Sequence, residues 1–230
     1  MSQHQQGDVV WVGPIKIPVW PDQMEIARYP DGFAMIANPD IDAVKASLVE
    51  TILERDAIQR IETPRNSLAE GGQKVRDLDK LGSPVFELLN ARALALFKRV
   101  TGAPTAVVDD CWANVVRDGE WTIPHSHKRS TASVVYALDP GDEAAAKEEP
   151  LNGVLIFMDP RLRLCCPNKP NYVNSIFRPT GNAPALMVIF PSFVTHMVSP
   201  YHGNRPRISI AWNLNAEAVP GEVRHDGVME

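Results

Sequence analysis

The 230-residue chain is poor in cysteine. It has three cysteines, and two of them, Cys165 and Cys166, are adjacent. So few cysteines cannot build the multiple-disulfide framework of a small secreted domain. No two of them have the CxxC spacing, which removes the usual thiolate zinc site. A reducing compartment suits such a chain, and we expect a cytoplasmic protein.

The sequence also lacks long apolar runs and an excess of positive charge. It contains no run of about eighteen apolar residues, so no transmembrane helix is predicted. The polar N-terminal stretch before Val9 has no apolar segment, and no secretory signal is expected. A net charge of −5 provides no electrostatic footprint for nucleic acid or for an anionic membrane. The expected partner is therefore a small-molecule or peptidyl substrate, with neither nucleic acid nor membrane involved.

Proline, in contrast, is abundant, and its 20 residues are spread along the chain. This distribution suits short strands joined by tight turns, because proline is excluded from helix interiors and central strands. From Val107 onward the apolar period changes from about 3.6 toward 2, which indicates strands. The predicted strands are Val107–Val116, Trp121–His127, Ala132–Leu138, Gly153–Met158, Asn174–Arg178, Ala185–Pro191, His196–Pro200 and Arg207–Leu214. Strands of this number and length favour a barrel or jelly roll.

The region before these strands predicts two helices. The first begins at Asp40 or Asp42 and runs to about Arg60, with apolar residues at three- and four-residue spacings. The second begins near Ser83-Pro84 and stops at Thr101-Gly102. Between them, the polar segment from Glu62 to Asp79 shows no clean period and is predicted to be an irregular loop that covers one end of the domain.

These elements suggest one structural domain in three parts. Residues 1–106 form an N-terminal arm and helices, residues 107–216 form the β core, and residues 217–230 form a C-terminal tail. The arm, Val9 to Trp20, reads as an edge strand, and such a strand could pair with a neighbour's edge in a homodimer.

Three histidines are candidate metal ligands. His125 and His127 lie two apart in a predicted strand, and such residues share a face. His196 begins another predicted strand and could complete a three-point face on one ion. Imidazole binds borderline metals without an unusual pKa. A pair of histidines near a loop can also serve only as hydrogen-bonding groups, but the combination with His196 favours a mononuclear metal site.

Arg207 and Ser209 repeat the two-residue spacing one hairpin later. A guanidinium matches a carboxylate in shape and charge, so Arg207 is a candidate holder for a carboxylate-bearing co-substrate. Arg205 precedes it by two residues and is an alternative for the same role. The opposite side of this strand is apolar and is expected to pack under the helices; it carries Ile208, Ile210, Trp212 and Leu214.

Together these motifs resemble those of the 2-oxoglutarate- and iron(II)-dependent oxygenases, in particular a bacterial and phage family of prolyl-hydroxylase-like oxygenases. The resemblance covers about residues 111–214. It rests on Asn114, His125-Ser126-His127, Val135-Tyr136, Asp159-Pro160-Arg161, Phe190-Pro191-Ser192-Phe193, His196 and Arg207-Ile208-Ser209-Ile210.

The resemblance implies a mainly β fold with N-terminal helices, namely a double-stranded β-helix or cupin-like jelly roll. It implies that His125, His127 and His196 bind Fe(II), which the co-substrate 2-oxoglutarate chelates through its 2-oxo acid end. It further implies that Arg207 and Ser209 hold the far carboxylate of 2-oxoglutarate. The implied reaction is hydroxylation of a substrate C–H with release of succinate and CO2.

Two details are less direct. Tyr136, on a neighbouring strand, is expected to hydrogen-bond the co-substrate, although it could equally pack on the barrel wall. Most such oxygenases bind iron with two histidines and one carboxylate, whereas this chain has His127 where the carboxylate is expected. We predict a three-histidine face, with a carboxylate such as Asp159 or Glu120 as the alternative ligand. The alternative function is a non-redox, cupin-like protein that binds a metal or a small acid.

Overall fold

The computed structural model of the chain describes residues 8–29, 32–62, 73–142, 149, 151–158, 176–177 and 185–220. Asp159 and Arg161, the adjacent cysteines and most of the predicted tail lie outside these residues. No helix within these ranges is both long and apolar enough to cross a membrane.

Two helices precede the β core, as predicted. Helix α1 is Ala46–Glu62 and helix α2 is Pro84–Thr101. The side chain of Ser83 accepts a hydrogen bond from the N–H of Phe86, and Gly102 ends the helix at a φ of +76°. Helix α1 begins later than expected, because Ile41–Ala43 form a separate 3-10 turn before it.

Four short strands come from the chain before α1. They are β1 (Val9–Val12), β2 (Ile15–Pro18), β3 (Ala27–Arg28) and β4 (Ala34–Ala37). Strands β1 and β2 pair with each other in a hairpin. Buried Arg92 of α2 donates to the backbone oxygens of Pro18 and Val19 and pairs with Asp40, which fastens this arm to the helix.

The segment between the helices corrects one prediction. Residues 63–72 lie outside the described part, but Gln73–Val75 form strand β5 rather than irregular loop. Its residues alternate between buried and half-buried positions, and it pairs with the strand that starts the β core. Three residues are too few to show a period, so only the pairing partner reveals the strand.

All eight strands predicted after Val107 are present. They are β6 (Val107–Val116), β7 (Thr122–His125), β8 (Ala132–Asp139), β9 (Leu155–Phe157), β10 (Ile176–Phe177), β11 (Leu186–Pro191), β12 (His196–Val198) and β13 (Arg207–Asn215).

The strands form two facing sheets. The larger has the order β3-β4-β11-β8-β13-β6-β5, and the smaller has the order β10-β9-β12-β7. Phe33 and Phe190 of the larger-sheet side pack edge-on or tilted against Phe157 of the smaller sheet, with ring centroids 5.1 and 4.9 Å away. This aromatic cluster fills one part of the space between the sheets. A cavity with polar side chains, described below, occupies another part.

The helices cover the outer face of the larger sheet. Phe86 of α2 stacks on Trp212 of β13 at 6.3 Å between ring centroids, and the indole N–H of Trp212 donates to Asn90. Ile208, Ile210 and Leu214 belong to the same buried cluster. The prediction that this side of β13 packs under the helices is therefore confirmed, and the other side is left to face the smaller sheet.

Candidate active site

A cavity lies between the two sheets, and both sheets supply its walls. The lining side chains are Lys74, Trp112, Asn114, Thr122, His125, His127, Ser133, Val135, Leu155, Phe190, His196, Val198, Arg207, Ser209, Ala211 and Asn213. None of these residues is acidic. The cavity lining therefore combines imidazoles, two cationic side chains, neutral hydrogen-bonding groups and apolar side chains.

Three imidazoles meet in this cavity. The ring centroids of His125 and His196 are 4.4 Å apart, and those of His127 lie 5.1 Å from His125 and 5.3 Å from His196. Their candidate ligand nitrogens all lie within 4.8 Å of one another. Three nitrogens bound to one ion at about 2.1 Å are about 3.0–3.6 Å apart, so binding an ion would draw the three rings closer together.

The strand pairing explains two of the three positions. His196 on β12 is the register partner of His125 on β7, so their rings start from neighbouring points of one ladder. The predicted strand included His127, but β7 ends at His125, so His127 lies in the turn after the strand. Its backbone N–H donates to Ser192 O at 2.9 Å, which fixes the turn that brings its ring back to the others.

Hydrogen bonds orient the rings of two of these histidines. Nδ1 of His125 lies 2.8 Å from Ile123 O, and Nδ1 of His196 lies 2.9 Å from Val194 O. A carbonyl oxygen can only accept a hydrogen bond, so Nδ1 carries the proton and Nε2 keeps its lone pair for a metal. This backbone support is the usual outer shell of a metal-bound histidine.

Burial keeps all three rings neutral. It lowers the pKa of His196 to about 3, helped by the neighbouring His125, and the pKa of His127 to about 2, helped by His196 and His125. Burial also lowers the pKa of His125. Neutral imidazole is the form that binds metal, so the cluster needs no deprotonation at neutral pH.

The donor set fits a divalent transition metal such as iron. Within the described residues, the cluster that could hold a metal comprises the three histidines and no carboxylate. Glu120, one of the expected alternatives, is engaged elsewhere. Its carboxylate accepts from the guanidinium of Arg60 at 2.7 Å and from the backbone N–H of Arg117 at 2.8 Å. The other alternative, Asp159, lies outside the described residues.

A buried cation occupies the same cavity. Arg207 is 5% exposed, and its one hydrogen bond within the described residues joins Nη1 to Ser209 Oγ at 3.4 Å. No carboxylate of the described residues pairs with it. Burial lowers the pKa of Arg207 to about 10, and the guanidinium remains charged at neutral pH. A buried, charged group without a counter-ion is costly, so this position is suited to receive an anion.

Residues 110–213 match the family model described as "Putative 2OG-Fe(II) oxygenase", where 2OG is 2-oxoglutarate. The matched segment contains the three histidines, Arg207 and Ser209. This segment, which is slightly less than half of the 230-residue chain, is similar to the 2OG-Fe(II) oxygenases. No curated protein matches the chain.

Several solved structures share the fold described above. A viral collagen prolyl hydroxylase from Paramecium Bursaria Chlorella virus-1, in its 2OG complex, has a TM-score of 0.52 at 10% identity and covers 80% of this chain and 96% of its own. HygX from Streptomyces hygroscopicus, with nickel and 2-oxoglutarate bound, has a TM-score of 0.51 at 13% identity and covers 80% and 82%. An oxidoreductase of the 2OG-Fe(II) oxygenase family from Burkholderia pseudomallei has a TM-score of 0.51 at 14% identity and covers 81% and 85%. The predicted mainly β, double-stranded β-helix fold is thus confirmed.

The structure brings together most of the site residues predicted from the sequence, but Tyr136 is an exception. Val135 faces the cavity, and the alternation of β8 turns the neighbouring Tyr136 toward the helices. Tyr136 is fully buried there, and its hydroxyl has no hydrogen-bond partner in the described part of the chain. The expected contact between Tyr136 and the co-substrate does not fit this placement.

Arg205, the rival of Arg207, also lies away from the cavity. It precedes β13, its side chain is 66% exposed, and it pairs with Asp139 at 2.9 Å. Arg205 therefore lies at the surface, and of the two arginines Arg207 alone lines the cavity.

Two wall residues, Lys74 and Trp112, had no part in the sequence-based prediction, and Asn114 entered it only through the family resemblance. Lys74 of β5 places its ammonium 4.8 Å from the centroid of the Trp112 ring, and that ring lies 5.7 Å from His127. Asn114 stands opposite Ser209 in the β6–β13 register, and its amide oxygen accepts from the indole N–H of Trp112. The pairing of β5 with β6 was the missing signal, because it alone brings Lys74 to the cavity.

Proposed function

We propose that this oxygenase binds Fe(II) through His125, His127 and His196 and binds the far carboxylate of 2-oxoglutarate through Arg207 and Ser209. The overall reaction is hydroxylation of a substrate C–H: O2, 2-oxoglutarate and R–H give R–OH, succinate and CO2. The substrate is a small molecule or a peptidyl side chain with access to the cavity.

One observation carries this proposal: a buried guanidinium with no carboxylate partner among the described residues opens into the same cavity as three neutral imidazoles. A site built only for metal has no need of a buried cation beside it, since two positive charges in one low-dielectric cavity repel. A dianionic ligand removes this conflict because one carboxylate meets the guanidinium and the other end meets the metal.

Bound iron would supply the oxidising chemistry. The protein positions the metal ligands and the co-substrate and limits the access of water. His125 and His196 are held by strand pairing and by backbone carbonyls, so the ligand set is preorganised before the metal arrives. Leu155, Phe190 and Val198 form apolar wall around it and limit the water that reaches the reacting atoms. Asn114 and Ser209, opposite each other in register, add hydrogen-bonding groups on the larger-sheet side.

The neutral donor set distinguishes this site from the usual facial triad. Two histidines and one carboxylate place one negative charge beside the metal, whereas three imidazoles place none. We expect weaker metal binding than in the carboxylate-containing site and a larger share of the affinity for 2-oxoglutarate to come from charge attraction.

The test is an anaerobic titration of the protein with Fe(II) and then with 2-oxoglutarate. We expect one iron per chain, a visible charge-transfer band when the 2-oxo acid chelates it, and stoichiometric succinate after air is admitted. Zinc-loaded protein is the control and should give neither the band nor succinate. Iron binding without any 2-oxoglutarate-dependent band would contradict the proposal and favour a non-redox metal protein.

A further inference from the structure

The side chain of Tyr201 is locked into a slot made by three glycines. It is almost fully buried, and its hydroxyl accepts from the N–H of Asp142 at 2.8 Å and donates to Arg205 O. A β-carbon would come within 2.3 Å of the hydroxyl oxygen at Gly141 and within 2.4 Å at Gly203. At Gly153 a β-carbon would come within 2.7 Å of ring atom Cδ2. Real β-carbons do not approach this closely, so only glycine leaves the ring this position.

Gly153 is where Tyr201 and Arg207 converge. The same added β-carbon would lie 3.3 Å from Cδ of Arg207, so the tyrosine and the arginine stem flank one point of the backbone. Gly153 has a φ of +59°, a conformation that L side chains rarely adopt. Glycine thus satisfies two separate requirements here, backbone conformation and space for the arginine stem.

The backbone on both sides of this point is firmly held. Tyr201 N–H donates to Glu120 O at 3.0 Å, and Gly119 N–H donates to Tyr201 O at 2.7 Å. Gly153 N–H donates to Pro200 O at 3.0 Å, which continues the β9–β12 ladder beyond Val198. The slot is therefore tied to the strand that carries His196, and neither Gly153 nor Tyr201 can yield easily.

Arg207 needs such a wall because within the described residues no ion pair fixes its head group. A free arginine side chain loses about 2 kcal/mol of rotamer entropy when a ligand immobilises it. A wall that restricts the stem beforehand removes part of that cost from binding. The stem is confined by Gly153 on one side, and the open direction is the cavity.

We propose that Gly153 and Tyr201 are positioning residues for Arg207: they hold its guanidinium at the depth that accepts the second carboxylate of the 2-oxo acid. They thereby make the site selective for 2-oxo dicarboxylates over 2-oxo monocarboxylates. This inference rests on the proposed function, since it assigns Arg207 to the far carboxylate of 2-oxoglutarate.

The experiment compares 2-oxoglutarate with 2-oxovalerate, which has the same five-carbon chain but a methyl group in place of the far carboxylate. Both chelate iron through the same end, and both affinities can be read from the charge-transfer band of the anaerobic Fe(II) protein. In Gly153→Ala we expect affinity for 2-oxoglutarate to fall about tenfold or more, with affinity for 2-oxovalerate changed less than about twofold. Iron affinity, measured separately, should not change.

The matched control is Gly82→Ala. Gly82 has a φ of +62°, close to that of Gly153, but an added β-carbon would meet nothing within 4 Å. It imposes the backbone strain without the clash, so both 2-oxo acids should bind as they do to the wild-type protein.

A second variant, Tyr201→Phe, removes only the hydroxyl that holds the ring in place. If Gly153→Ala does not fold, this variant alone tests the positioning role. We expect it to weaken 2-oxoglutarate binding by about threefold and to spare 2-oxovalerate. Unchanged 2-oxoglutarate affinity in the folded variants, or equal loss for both acids, would overturn the positioning role. Wild-type protein that binds both acids equally would instead overturn the assignment of Arg207, and with it the proposed function.

Discussion

The two faces of strand β13 are both buried, but one packs in the apolar core under the helices and the other lines the polar cavity. On the helix side, Trp212 stacks on Phe86 and its N–H is satisfied by Asn90. On the cavity side, Arg207 is 5% exposed, yet its guanidinium has a single long hydrogen bond within the described residues. Burial alone therefore does not separate core from site. The site is marked by a buried charge that has no counter-ion in the described part of the chain.

This difference predicts opposite consequences for substitutions on the two faces. The apolar face stabilises the fold through buried area and contributes nothing directly to binding. The polar face holds a charge in a position that costs stability until an anion arrives. Substitutions at neighbouring positions of β13 should thus have different effects: one on the helix side should lower stability, and one on the cavity side should lower ligand affinity.

The largest effect is expected from Trp212→Ala on the helix side. Truncating a fully buried tryptophan leaves a cavity under α2 and should lower the free energy of unfolding by about 3–5 kcal/mol. Urea denaturation of the metal-free protein measures this loss. Ala211, its neighbour on the cavity side, supplies the comparison: Ala211→Gly should cost far less, and similar losses at the two positions would contradict the distinction between the faces.

His196→Ala should abolish iron binding. It removes a ligand rather than a support, so the loss of iron affinity should exceed the roughly 10–100-fold cost of outer-shell changes. Anaerobic metal analysis after desalting gives the stoichiometry. His202→Ala is the matched control, because His202 is exposed beside Asp118 and lines no part of the cavity. Full iron retention in His196→Ala would remove that residue from the metal site.

Arg207→Met removes the charge from the cavity face of β13 and leaves the helix face unchanged. Loss of the guanidinium should weaken 2-oxoglutarate binding by about 2–5 kcal/mol, since a buried charge pair loses one partner. The ligand-free protein should be as stable as the wild type or more stable, because an uncompensated buried charge is gone.

Arg205→Met serves as the control for this change. Arg205 forms an exposed ion pair with Asp139, so its loss should cost less than about 1 kcal/mol of stability and leave 2-oxoglutarate affinity unchanged. The assignment fails if the two arginine variants lose 2-oxoglutarate affinity equally.

The smallest effect is expected from His127→Asp, which restores the usual two-histidine, one-carboxylate pattern. The added negative charge should keep or tighten iron binding. Anaerobic titration compares the variant with the wild type. Loss of iron from a folded His127→Asp protein would show that this cavity requires the third imidazole.

Local signals account for much of what the sequence could reveal. The caps of α2, Ser83 and Gly102, act within one turn, and each strand from β6 to β13 lies within a short segment that the sequence itself delimits. The metal and anion candidates were likewise recognisable, because His125 and Arg207 each sit in a short motif with a fixed spacing.

Other features of the fold and the site depend on contacts between residues far apart in the sequence, which a short segment does not reveal. Strand β5 exists through its pairing with β6, so neither the strand nor the approach of Lys74 to Trp112 could be read from three residues. Strand β8 is buried on both faces, so its alternation of residue types did not show that Val135, rather than Tyr136, faces the cavity. Similarly, the turn after His125 depends on the distant carbonyl of Ser192.

The register partnership of His125 with His196 has a mechanical consequence. An ion bound to both residues acts as a cross-link between β7 and β12, two of the short strands in the smaller sheet. Amide hydrogens of these strands should exchange with solvent more slowly once metal is present, while those of α2 remain largely unaffected. A bound ion should therefore stabilise the smaller sheet, and the amide exchange rates of β7 and β12 should differ between the metal-free and the metal-loaded protein.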